Sequence, residues 1–67
     1  NMSFWLIVHL FTAEGEFIAK DIYETGSQEQ CAVFAGEVTR TIINSKLQAQ
    51  FDCMSDEDYR AERNLDL

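Results

Sequence analysis

The chain has 67 residues, with 12 acidic against 5 basic side chains, a formal net charge of −7 and an apolar share of 46%. That length holds one small domain, which buries only about 60% of the surface its unfolded chain exposes and so leans on a staple or a partner. The acidity argues against the basic footprint of a nucleic-acid binder, no apolar run reaches the ~18 residues of a membrane span, and a deep catalytic cleft does not fit.

Asn1 precedes Met2, so Met2 reads as the initiator and Asn1 as a remnant of a tag. The first element is a strand, Phe4 to Phe11, apolar on both alternating sets. Phe4, Leu6, Val8 and Leu10 share one face; Trp5, Ile7, His9 and Phe11 share the other. Such a strand belongs in the middle of a sheet with something lying over each side. The run lacks the preceding basic residues and the small-residue cleavage site of an export signal. Thr12 to Glu16 reads as a hairpin loop with Gly15 at a positive-φ position. Residues 17–23 form a second strand, whose Lys20 and Asp21 suit a sheet edge.

Gly26 and Ser27 end the hairpin and open a helix, with Ser27 as N-cap and Gln30 completing a capping box. Cys31, Phe34, Ala35, Val38 and Ile42 then fall on one helical stripe. The helix is expected to run for about 18 residues at ~1.5 Å each, with Glu37 and Arg40 pairing on its outer side. Asn44-Ser45-Lys46 stops it, Lys46 favouring the negative helix end. Residues 48–54 make a third strand with Ala49, Phe51 and Cys53 inward.

The order β-β-α-β places strand 3 antiparallel beside strand 1, and the crossover rule makes the connection right-handed. The expected fold is α+β: a three-stranded sheet in order 2-1-3 with one helix on one face. Residues 2–54 form the single compact domain, and residues 55–67 an acidic segment, a short helix capped by Ser55 or a disordered tail.

Cys31 and Cys53 both point into the helix–sheet interface at one end of the domain, so a disulfide is sensible there, worth about 3 kcal/mol in the chain-entropy model. The alternative is a pair of reduced, buried thiols. The first places the protein in a periplasm or on a virion surface, the second in a bacterial cytoplasm. No C-x-x-C pair, zinc ligand set, nucleophile elbow or EF-hand spacing is present, so no enzyme, metal or cofactor is expected, and His9 reads as a partly buried strand residue. Asp52, Asp56, Glu57, Asp58, Glu62 and Asp66 form the densest charge cluster, either a solvated segment or an acidic surface that imitates nucleic-acid phosphates or docks a basic protein.

One helix covers only one sheet face. The other is expected to expose Trp5, Ile7, His9 and Phe11, or else the alternate set, with Phe17 and Tyr23 from strand 2. Tyr59, Leu65 and Leu67 could fold across it; the preferred reading is a partner or homodimer interface, where aromatic residues are enriched.

The runs Phe4-Trp5-Leu6-Ile7-Val8, Glu29-Gln30-Cys31, Gln48-Ala49-Gln50-Phe51 with Cys53, and Ser55-Asp56-Glu57-Asp58-Tyr59 resemble short uncharacterised reading frames of tailed bacteriophages. That resemblance spans most of Phe4 to Tyr59 and implies a small accessory protein acting in or on a bacterial host, with no catalytic residue to carry over. The expected function is a non-enzymatic protein-binding module, its partner a host or phage protein or a second copy. The rival is a disulfide-stapled structural or envelope-facing domain with an assembly role.

Overall fold

The computed structural model describes residues 3–65, and the readings of Asn1, Met2, the Leu65 side chain, Asp66 and Leu67 fall outside it. The order is β1 (Phe4–Phe11), β2 (Phe17–Thr25), α1 (Gln28–Ile42), β3 (Gln48–Ser55) and α2 (Asp56–Leu65). The sheet has the order β2-β1-β3, with β1 antiparallel to both neighbours. This is the expected α+β arrangement, with a second helix added by the acidic C-terminal segment.

Strand alternation divides the sheet into two faces. Phe4, Leu6, Val8 and Leu10 share one face with Tyr23 from β2 and with Ala49, Phe51 and Cys53 from β3. Here α1 packs its Cys31, Phe34, Ala35 and Val38 stripe, and Leu6, Val8 and Cys31 are fully buried at the centre. The Cys31–Cys53 disulfide joins α1 to β3 across this interface, Cα to Cα 6.0 Å. Loss of water contact by this apolar set is the main force holding helix to sheet, at about 25 cal/mol per Å² buried.

Local signals set the element ends. The Ser27 Oγ accepts from the Gln30 backbone N–H at 3.1 Å, and the Gln30 side-chain oxygen accepts from the Gly26 N–H at 2.9 Å, a reciprocal cap. At the hairpin, Gly15 has φ 92° and donates its N–H to the Thr12 carbonyl. Ile18 is the extra residue of a bulge, since Leu10 faces Ala19 whereas Phe11 faces Phe17.

Three local expectations differ from the structure. α1 has 15 residues, because the Ser45 N–H turns back to the Ile42 carbonyl and Lys46 takes a left-handed φ of 64°. Lys46 thus fills the backbone role that Gly or Asn usually holds after a helix. Glu37 and Arg40 do not pair; the ion pair found among the described residues is Arg60–Asp56. An exposed pair three apart gains too little from Coulomb attraction to hold two long side chains still. Tyr23 lies opposite Leu6, on the α1 face, so it does not share a face with Trp5. Its ring meets Phe34 edge-on at 4.9 Å between centroids.

Candidate binding surfaces

The second sheet face carries Trp5, Ile7, His9 and Phe11 along β1, flanked by Glu24, Ile22, Lys20 and Phe17 from β2 and by Met54, Asp52, Gln50 and Gln48 from β3. α2 begins where β3 ends and folds over one end of this face. Tyr59 stacks on Trp5 at 4.5 Å between centroids, and the Trp5 indole N–H donates to Asp56 Oδ1 at 2.9 Å. The Asp56 backbone N–H is bound by the Ser3 carbonyl at 2.9 Å, so the first turn of α2 is pinned to the strand beside it. The expectation that Trp5 lies open to a partner is therefore corrected: it is half-buried under its own chain, and Ile7 is buried. An amphipathic turn that offers Tyr59 inward can cover one large ring with little further chain.

The far end of that face remains open. His9 and Phe11 are half-buried; Phe17 is 59% exposed and sits against both rings, its centroid 6.3 Å from His9 and 5.9 Å from Phe11. Ile22, opposite Ile7, is exposed as well.

Of the acidic residues, Asp52, Glu57, Asp58 and Glu62 are exposed, whereas Asp56 is half-buried and engaged. Asp56 accepts from Arg60 Nε at 2.8 Å as well as from Trp5, and those two hydrogen bonds, Arg60's first, hold its carboxyl below the usual carboxylate value. The same pairing raises Arg60. Asp52 and Glu62 line a small cleft of about 190 Å³ between α2 and the sheet, together with Lys20 and Arg63. Glu57 and Asp58 are exposed in the first turn of α2, and Ser55 Oγ caps that turn by accepting from the Asp58 N–H. Acidic side chains there complement the positive helix end.

A larger groove, about 650 Å³, lies on the opposite side of the molecule between α1 and the end of β2. Its walls include Thr25 and Gly26 on one side and Glu29, Val33, Phe34 and Glu37 on the other. Val33 is 61% exposed, and no basic residue contributes to the lining. Glu29, Val33 and Glu37 fall four apart, one line along the helix surface. The sequence carries this signal as an apolar residue set between two carboxylates, off the Cys31-Phe34-Ala35-Val38 stripe.

Among the described residues, no group of three His, Cys, Asp or Glu side chains is placed to hold a metal ion, and no helix is long and apolar enough to cross a membrane. Comparison with protein-family models, with curated proteins and with solved structures finds no match to this chain.

Proposed function

We propose that this protein is a small non-enzymatic binding module whose α1–β2 groove takes a basic, partly apolar segment of another protein. The observation that carries the reading is the groove itself: an apolar strip of Val33 and Phe34 flanked by Glu29 and Glu37, with no lysine or arginine in its lining. Apolar contact would supply affinity there, while the carboxylates favour a cationic partner and speed its approach. The net charge of −7 acts in the same direction at longer range. The residue runs that resemble phage reading frames support an accessory protein acting on a bacterial host.

Capture from bacterial lysate by the wild type, by Val33→Lys and by Glu29→Lys/Glu37→Lys tests this, at low and high salt. Both variants alter exposed side chains and should stay folded. Partners held by the wild type at low salt should be lost from both. Retention of the same proteins by all three forms would reject the groove.

A second reading, an assembly domain of an oxidising compartment, is favoured by the Cys31–Cys53 disulfide. Protein taken from its natural host would then carry the bond already closed, seen as a 2 Da mass deficit relative to the reduced chain.

A further inference from the structure

β2 is an uncovered sheet edge. It spans nine residues, seven of them exposed, and among these are Phe17, Ile18, Ile22 and Tyr23. Neither helix lies along its outer side: α1 sits mainly over β1 and β3 and reaches β2 through Phe34 against Tyr23, and among the described residues α2 packs on β1 and β3. Its outward backbone N–H and C=O groups therefore form a row ready to pair with another strand.

We infer that the occupant of this edge is β2 of a second copy, paired antiparallel with Ile22 on the two-fold axis, making one six-stranded sheet. The register follows from symmetry and charge. Two identical antiparallel strands in a continuous sheet are related by an axis perpendicular to it, so each residue must face one of the same alternation class. Centring on Lys20 or on Asp21 sets like charges face to face on the axis. Centring on Tyr23 sets Ile22 against Glu24. Centring on Ile22 sets Lys20 against the partner's Glu24 at both ends, with the two Ile22 side chains in contact between them. On the α1 face the same register sets Asp21 beside the partner's Tyr23, where a phenol hydroxyl can donate to a carboxylate. Of the centres from Ala19 to Glu24, Ile22 is the one that sets opposite charges face to face. That pairing also extends the row of the exposed Ile22 and the buried Ile7 into a continuous apolar band across the new interface.

Glu24 also lines the groove, but the test is separate from that of the groove because no partner protein enters it. Sedimentation equilibrium of the purified chain up to high-micromolar concentration should show a reversible monomer–dimer equilibrium. Glu24→Lys, which sets cation against cation twice, should raise the dimer Kd about tenfold or more, since cross-strand charge pairs contribute up to ~1 kcal/mol each. The swap Lys20→Glu/Glu24→Lys should restore association, which a merely misfolded Glu24→Lys would not explain. Register is read by thiol crosslinking with a short bismaleimide. Ile22→Cys should form a covalent dimer alone, and Lys20→Cys should crosslink to Glu24→Cys in a mixture but not to itself. A chain that stays monomeric throughout overturns the inference, as does a dimer indifferent to Glu24→Lys or a Lys20→Cys variant that crosslinks to itself.

Discussion

Replacing Cys31 and Cys53 together by alanine removes the one covalent tie between α1 and β3 while leaving two small apolar side chains in the core. The bridged residues are 22 apart in sequence, so the chain-entropy relation gives about 3 kcal/mol of lost stability at 25 °C. A domain of this length holds about 3–10 kcal/mol in total at ~0.05–0.15 kcal/mol per residue, so the bond accounts for a third of that or more. In temperature the loss corresponds to roughly 12–24 °C, at about 4–8 °C per kcal/mol for domains of 60–100 residues. Urea unfolding of the oxidised chain and of the alanine pair, followed by far-UV circular dichroism, measures the difference. The variant also takes two sulfurs out of the cluster that Cys31 forms with Leu6 and Val8, with Cys53 packed against it, so any cavity left there adds to the loss. A loss under about 1 kcal/mol would refute the reasoning, since it would mean that the unfolded chain is no more constrained with the bond than without it.

Asp56 gives a pH-dependent expectation. Its folded pKa lies below the ordinary value of 3.8, so its contribution is complete above that value and disappears as pH falls through the lower folded one. Trp5 fluorescence should therefore change in acid as the Asp56 hydrogen bond is lost, and Asp56→Asn should remove that transition; an identical acid profile in both forms rejects it. At Gly15, an added Cβ meets no atom within 4 Å, but φ is +92°. Gly15→Ala should thus cost about 1–2 kcal/mol from backbone strain alone, measured by urea unfolding, and a neutral result would show that the turn relaxes.

Strand pairing was legible in the sequence because it depends on period and polarity. β1 is apolar on both sides, β2 is broken by Lys20 and Asp21, and only a central β1 reconciles them. The disulfide followed from the same reasoning, since topology brings Cys31 and Cys53 to one end of one interface. What escaped was register at the level of single residues. The bulge at Ile18 shifts Phe17 by one place against β1, so counting forward in twos from Phe17 does not give the face of Tyr23. Covering of Trp5 by Tyr59 was visible only as one option, because a ten-residue acidic helix has no apolar stripe that announces where it docks. The groove was obscured for a related reason: Val33 looks like an isolated surface residue until β2 is placed beside it.

The two faces of β1 are held by unequal means, and that inequality has a dynamic consequence. On the α1 face a helix, a buried cluster and a covalent bond act together, so opening it requires global unfolding. On the other face α2 is joined to the sheet mainly through Tyr59, the indole hydrogen bond to Asp56 and the Ser3–Asp56 backbone bond. An isolated helix of ten residues is marginal in water, so α2 is helical chiefly because this small contact holds its first turns. Aromatic stacking contributes about 0.5–1.5 kcal/mol beyond burial, well below the stability of the rest. α2 should therefore open as a unit while the sheet remains closed. Hydrogen exchange should show fast exchange through α2 and slow exchange at Leu6, Ile7 and Val8, with Tyr59→Ala accelerating the first set and leaving the second unchanged. Equal protection in α2 and β1 would show that the latch is part of the global unit, and that the chain closes both faces in one cooperative step.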